Sequence, residues 1–216
     1  MMQNDLALRG PRSDAREPLA AGAWLLRGFA ASKAAVLLAE VQQVTAHSPF
    51  RLMSARGYPM SVAMSNCGTV GWVTDEIGYR YDSIDPKTAL SWPVMPASFR
   101  DLATAAATAA GFEGFVPDAC LLSRYAPGAR LSLHQDRDER DLESPIVSIS
   151  LGLPAVFLFG GLRRSDRPRR VPLAHGDVVV WGGPARLRFH GVLPLKDGCH
   201  PLLGPCRVNL SLRKAR

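Results

Sequence analysis

The chain has 216 residues, of which 47% are hydrophobic, so it is long enough for one large domain or a domain with a lid, and global disorder is excluded. A formal net charge of +7 favours polyanionic partners, nucleic acid first, although solubility alone can produce the same excess. The four cysteines, Cys67, Cys120, Cys199 and Cys206, form no CxxC pair, which argues against a zinc knuckle or a disulfide scaffold and for reduced thiols in a cytoplasmic protein.

Residues 1–17, MMQNDLALRGPRSDARE, hold no apolar signal-like run and read as a short disordered tail. No later stretch approaches the roughly 18 apolar residues of a membrane span. SKAAVLLAEVQQVTAHSP predicts a helix with Leu37, Leu38, Val41 and Val44 on one face and Pro49 at its exit. Residues 50–96 read as short strands and turns. They carry Tyr58, Trp72, Tyr79, Tyr81 and Trp92, which suit either a small core or a lid that stacks on a flat ligand. SFRDLATAAATAAG predicts a second helix, opened by a capping box of Ser98 and Asp101 and closed by Gly111.

From residue 118 strand follows strand: ACLLSRY, ARLSLHQD, PIVSISLGL, AVFLFG, DVVVWG, RLRFHGV and RVNLSLR, separated by Pro or Gly turns. Such a series without helices predicts a sandwich, a barrel or a jelly roll. The 17 prolines and 19 glycines fit the same β-rich reading. LRRSDRPRRV, with Arg163, Arg164, Arg167, Arg169 and Arg170, reads as a hairpin loop that either grips phosphates or is simply solvated.

In ARLSLHQD, side chains alternate across a strand, so His134 and Asp136 share a face if the strand runs that far. Two ligands at that spacing can grip one metal, and His190 in RLRFHGV is a candidate third. Two imidazoles and one carboxylate leave open positions opposite them, which suits non-haem Fe(II) and oxygen chemistry better than structural zinc. HGD at His175 and Asp177 has the same spacing, but Gly176 and the buried VVVW that follows make it a turn capped by Asp177. RVNLSLR alternates strictly and puts Arg207, Asn209, Ser211 and Arg213 on one face. If that face points inward, two guanidiniums need anions, and a small dicarboxylate fits. A solvated edge strand is the competing reading.

The H-x-D, the distal His and the following R-x-N-x-x-x-R together resemble the Fe(II)- and 2-oxoglutarate-dependent dioxygenases of the AlkB type. The resemblance covers nearly the whole chain from Glu17 onward, through PLAAGA, MSVAM, PDACLLSRYAPGARLSLHQDRDE, PIVSISLGLPAVF, FGGL and HGDVVVWGG. It implies a mainly β chain with flanking helices, built on a double-stranded β-helix (jelly-roll) core at residues 118–216. Residues 18–117 would then form helices and a nucleotide-recognition lid. It implies Fe(II) at His134, Asp136 and His190, with 2-oxoglutarate and O2 as cosubstrates. Arg213 and Arg207 would each take one 2-oxoglutarate carboxylate, with Tyr125, Ser123 and Asn209 beside them. Trp72, Tyr79, Arg130, Asp138 and Arg164 would contact the substrate. Two positions depart from the family: Ser123 replaces an asparagine and offers only a hydroxyl, and Arg130 stands where lysine is frequent.

The activity implied is oxidative demethylation of 1-methyladenine and 3-methylcytosine, with release of formaldehyde, succinate and CO2. The implied partners are single-stranded DNA, then RNA and duplex DNA, with no membrane and a monomeric chain. Two other readings compete. One is an oxygenase of the same fold acting on a small molecule or protein, and the other is a non-catalytic cupin-like binding module.

Overall fold

The structure, a computed structural model, describes residues 16–55 and 58–216. In chain order its elements are β1 (Arg16–Ala20), β2 (Ala23–Leu26), α1 (Ala34–His47), β3 (Arg51–Ala55), β4 (Tyr58–Gly68), β5 (Gly71–Asp75) and β6 (Gly78–Asp82). There follow α2 (Ala97–Ala109), β7 (Ala119–Tyr125), β8 (Leu131–His134), β9 (Ile146–Gly152), β10 (Ala155–Phe159), β11 (Arg169–Leu173), β12 (Val178–Trp181), β13 (His190–Val192) and β14 (Arg207–Arg213). None of the described helices is long and apolar enough to cross a membrane.

The strands form an eight-stranded sheet, ordered β1-β2-β12-β9-β14-β7-β4-β3, a four-stranded sheet, ordered β11-β10-β13-β8, and a separate β5-β6 hairpin. This is a mainly β jelly roll with two flanking helices. Alternation along the central strands explains the layers. Val178 and Val180 of β12, Val147, Ile149 and Leu151 of β9, and Val208, Leu210 and Leu212 of β14 pack with Leu37, Leu38, Val41 and Val44 of α1 and Phe99 of α2. The opposite residues of β12, Val179 and Trp181, join Phe157, Phe159, Val171 and Val192 of the smaller sheet in a second core.

Four expectations need correction. Of the tail expected over 1–17, residues 1–15 lie outside the described residues, but Arg16 and Glu17 open β1, paired with Leu26 and Leu25. The large sheet takes strands from both sides of residue 117, because β4 pairs with β7 from Ala63 to Gly68. Among the described strands, β5 and β6 pair only with each other. Helix α2 has no capping box: Pro96 is its N-cap, and the Ser98 hydroxyl donates to Glu40 of α1 instead. A side chain already inside the first turn cannot cap that turn, so Ser98 ties the two helices together. Finally, Arg169 and Arg170 belong to β11 opposite Phe159 and Leu158, which shortens the arginine loop to its first three arginines.

HGD is the turn between β11 and β12. Gly176 adopts φ +86, and a Cβ there would come within 2.9 Å of the Ala31 backbone, so glycine meets both the conformation and the close approach. The Asp177 carboxylate, 3% exposed, accepts from the backbone N–H groups of Ala174 and Gly28 and from Nη1 of Arg27, at 2.8, 2.9 and 2.8 Å. Removing it leaves two backbone donors and a cation without their partner. Asp177→Ala should therefore lower the unfolding free energy by about 3 kcal/mol, read from urea melts, without weakening metal binding at His134.

Candidate active site

Strand β14 lies in the middle of the large sheet, between β9 and β7, and all seven of its residues are buried. Its polar face is therefore interior, and the edge-strand reading is excluded. The same inner face receives Ser148 and Ser150 of β9. Nη2 of Arg207 donates to the Ser150 hydroxyl at 3.0 Å, and Nδ2 of Asn209 donates to the Ser148 hydroxyl at 2.9 Å. Six buried polar side chains on one inner face do not pack a core; they line a site for a polar ligand.

The metal triad is assembled by strand register. β13 pairs antiparallel with β8 so that His190 stands opposite His134, with ring centroids 4.3 Å apart. β8 ends at His134, and the chain enters an irregular loop whose second residue is Asp136. Gln135 turns away and donates to the Leu187 carbonyl. Asp136 reaches back, with Oδ1 at 3.5 Å from Nε2 of His134 and Oδ2 at 3.7 Å from Nε2 of His190. The three ligand atoms lie within 4.8 Å of one another. Among the described residues this is the one cluster of three His, Cys, Asp or Glu side chains with that geometry.

The tautomers fit a metal. Nδ1 of His134 is 2.9 Å from the Ser132 carbonyl, and Nδ1 of His190 is 3.1 Å from the Arg188 carbonyl. A carbonyl only accepts, so each Nδ1 carries the proton and each Nε2 lone pair faces the carboxylate. His175 shows the reverse arrangement. Its Nδ1 accepts the Gly152 N–H at 2.9 Å, so its neutral ring carries the proton on Nε2 and has no lone pair to offer.

Electrostatics keep the triad in its ligating form. Burial, then the facing His190 imidazole, lowers His134 to about 4, so its ring is neutral at neutral pH. Burial opposes ionisation of Asp136, but Arg213 and then His190 outweigh it and hold the carboxyl well below the usual carboxylate range. Arg213 donates to Oδ2 of Asp136 through Nε at 3.0 Å and Nη2 at 2.5 Å. Burial lowers Arg207, partly offset by the Tyr125 phenol. The Arg207 guanidinium lies 5.0 Å from the Tyr125 ring, and its Nε and Nη1 are buried without partners. A buried cation with two idle donors is what a carboxylate would fill. The donor set therefore fits Fe(II), and the arginines fit a dicarboxylate.

Residues 22–213 match the family model of the 2OG-Fe(II) oxygenase superfamily. The chain belongs to that superfamily. It is 59% identical over 201 residues, 93% of each chain, to the alpha-ketoglutarate-dependent dioxygenase AlkB of Escherichia coli. The nucleic acid dioxygenase ALKBH1 of Mus musculus is 38% identical over 135 residues, which is 60% of this chain and 34% of that one. The solved structure of OsALKBH1 superposes with a TM-score of 0.82 at 29% identity, covering 93% of this chain and all of that one. The protein is thus an AlkB-type dioxygenase, and iron, 2-oxoglutarate (alpha-ketoglutarate) and O2 are the cofactor and cosubstrates of its family.

The remaining expected positions fall into two groups. Trp72 and Tyr79 are stacked on the β5-β6 hairpin, with centroids 5.5 Å apart and planes at 19°. Nε1 of Trp72 donates to Oδ2 of Asp138 at 3.0 Å, which brings the β5-β6 hairpin to the loop that carries Asp136. Arg164 reaches the same neighbourhood, its Nη1 donating to the Leu133 carbonyl at 2.8 Å. Ser123 is buried opposite Asn209 in the β7-β14 register. Asn209 is different: both of its amide contacts, to Ser148 and to the Ile149 carbonyl, are spent within the sheet, and its Oδ1 accepts from Ser211. These contacts brace the arginine strand. Arg130 meets Ser61 through its backbone alone, with N–H to the hydroxyl at 3.0 Å and C=O from it at 2.9 Å.

Sequence reasoning missed Glu139 and Arg186, and with Glu139 the partner of Tyr81. Glu139 is buried between Arg213 (3.2 Å) and Arg186 (3.0 Å), and its Oε1 accepts from the Tyr81 phenol at 2.7 Å. The acidic run after His134 shows Glu139 as a charge. Nothing local shows that a buried Arg186 lies opposite.

His134→Ala, Asp136→Ala and His190→Ala should each abolish stoichiometric Mn(II) binding measured by calorimetry, and His175→Ala should leave it in place. Arg213→Ala and Arg207→Ala should each weaken 2-oxoglutarate binding by a few kcal/mol, roughly tenfold to a thousandfold, read in the same titrations with metal present.

Proposed function

We propose that the protein oxidatively removes methyl groups from base nitrogens of nucleic acid, 1-methyladenine and 3-methylcytosine first. Its substrate is single-stranded DNA, with RNA and duplex DNA as further substrates, and it acts as a monomer in the cytoplasm. The observation that carries this reading is the bond from Trp72 to Asp138, because it sets an aromatic face and a carboxylate together two residues from a 2-His-1-carboxylate triad. The net charge of +7 and the three arginines of the β10-β11 loop support a phosphate backbone as partner. The four free cysteines support a reducing compartment.

His134, Asp136 and His190 would hold the iron. When bound, the metal supplies oxidation of the methyl carbon by O2, driven by decarboxylation of 2-oxoglutarate to succinate and CO2. The chain's own residues then have three tasks. The first is to hold the cosubstrate: Arg207 has idle donors for one carboxylate, and Arg213 takes the other from its place beside Asp136. The second is to hold the base. A target atom inside a duplex is out of reach, so the base must flip out or come from a single strand. The Trp72–Tyr79 pair gives it a stacking face, and Tyr79 is 45% exposed at the entrance.

The third task is to favour charge. Methylation at a pairing-edge ring nitrogen makes the base cationic, which the indole face and the Asp138 carboxylate both stabilise. Asp138 spends Oδ2 on Trp72, which leaves Oδ1 for the base. Once the methyl carbon is hydroxylated, its O–H proton is lost and the C–N electron pair returns to the ring nitrogen. Formaldehyde leaves, and the base is neutral again.

Purified protein with Fe(II), ascorbate and 2-oxoglutarate should release formaldehyde from single-stranded oligonucleotides containing 1-methyladenine or 3-methylcytosine and restore the normal base by mass. An O6-methylguanine oligonucleotide, a neutral lesion, should react far more slowly, and Asp138→Ala should narrow that gap. Intact 2-oxoglutarate decarboxylation without repair of either cationic lesion would overturn this function in favour of a small-molecule or protein oxygenase of the same fold.

A further inference from the structure

The three metal ligands are not held in the same way. His134 and His190 sit on paired strands, so the ladder fixes their backbones. Asp136 lies past the end of β8, in residues 135–145, which form neither strand nor helix. Its side chain is held by Arg213, the residue that would also turn toward a 2-oxoglutarate carboxylate. Something else must fix the aspartate when Arg213 is so engaged.

We propose that Arg186 is a positioning residue for the metal carboxylate: from beneath the 135–145 loop, one buried guanidinium holds the backbone of Asp136, the far end of the loop and the Glu139 carboxylate between them. This rests on reading His134, Asp136 and His190 as the iron site. Nη1 of Arg186 donates to the Asp136 carbonyl at 2.6 Å, and Nε donates to the Ser144 carbonyl at 3.1 Å. Nη2 lies 3.0 Å from Oε2 of Glu139. All three contacts fall on residues 135–145, a segment that has no ladder of its own.

Only arginine meets this demand. Two carbonyl acceptors and an ion-paired carboxylate in three directions suit the planar fork of a guanidinium, whereas an ammonium on a flexible stem is a point charge that cannot fix them together. Arg186 has a short lever, because the 3-10 turn at Gly183–Ala185 leads straight into it and Ala185 is fully buried. The side chains of Arg186 and Glu139 are 3% and 2% exposed. Burying such a pair costs desolvation that a surface ion pair avoids, and a buried pair is a poor stabiliser by itself. Its value lies in the geometry it imposes. Between the fixed carbonyls of Asp136 and Ser144 stand Asp138 and Glu139, so the same fork also places the acid that faces the base.

The competing role is a fold staple that happens to lie near the site. Arg27 is such a staple, bonded to Glu17 and Asp177 on the far side of the β11-β12 turn, and it serves as the comparator. Wild type, Arg186→Lys and Arg27→Lys are titrated with Mn(II) by calorimetry, and their urea unfolding is followed in parallel. Outer-shell partners of ligands are worth about tenfold to a hundredfold in metal affinity, so Arg186→Lys should weaken Mn(II) binding by about tenfold or more. Arg27→Lys should lose stability yet bind Mn(II) within about twofold of wild type.

A loss below about fivefold in Arg186→Lys, or an equal loss in Arg27→Lys, overturns the proposal. If Arg186→Lys gives no cooperative unfolding transition, the isosteric Glu139→Gln, which leaves the fork on backbone carbonyls alone, is judged by the same fivefold line. Wild-type protein that binds no Mn(II) would overturn the iron site itself. Wild-type binding beside an indifferent Arg186→Lys overturns only the role of Arg186.

Discussion

The ion pair between Arg213 and Asp136 ties the two sheets to a single purpose. Arg213 ends a central strand of the large sheet, and Asp136 follows an edge strand of the small one. Their contact at 2.5 Å keeps the carboxylate ionised in an interior that would otherwise protonate it. A neutral carboxyl would be a poor metal ligand, and an unpaired arginine there would be a buried charge without compensation. The polar face of β14, the antiparallel pairing of His190 on His134 and the loop after β8 all converge on this contact.

Charge balance extends the argument. Around the site stand three buried arginines, Arg186, Arg207 and Arg213, against two carboxylates, Asp136 and Glu139. The protein alone is therefore one positive charge in excess there. A divalent metal raises the excess, and a dicarboxylate removes the same amount. The interior thus suits the two ligands together better than the metal alone, and the idle Nε and Nη1 of Arg207 mark where the missing negative charge belongs.

Much of this was legible in the sequence because it is periodic. β14 coincides with the alternating RVNLSLR, and the buried stripe of α1 is Leu37, Leu38, Val41 and Val44, as its spacing requires. The arginine face was legible for the same reason, since spacing two on a strand fixes a face; His134 and Asp136 come together although the strand stops at His134, because the loop after it turns Asp136 back. What stayed hidden depends on partners far along the chain. β11 was lost inside a run of arginines, whose polarity conceals a strand that pairs with β10. The Ser98 and Asp101 pattern has the spacing of a capping box, but the helix starts earlier, at Ala97 with Pro96 as its N-cap, and Ser98 bonds to Glu40. Glu139 and Arg186 show no local pattern because each is defined by the other across 47 positions of chain.

The β5-β6 hairpin and the 135–145 loop meet through a simple geometric device. Trp72 and Tyr81 are cross-strand partners in the β5-β6 hairpin, so their side chains leave the same face. That face meets consecutive residues of the loop: Trp72 donates to Asp138, and Tyr81 donates to Glu139. Asp136, two residues earlier, belongs to the triad. Four residues of irregular chain therefore make three sets of contacts: Asp136 joins His134 and His190, Asp138 meets Trp72, and Glu139 meets Arg186, Arg213 and Tyr81. A strand could not do this, since it would send Asp136 and Asp138 to one face and Glu139 to the other. The break in β8 after His134 makes this placement possible. It frees the loop from the two-residue period, and the surrounding arginines supply the order that the ladder no longer provides.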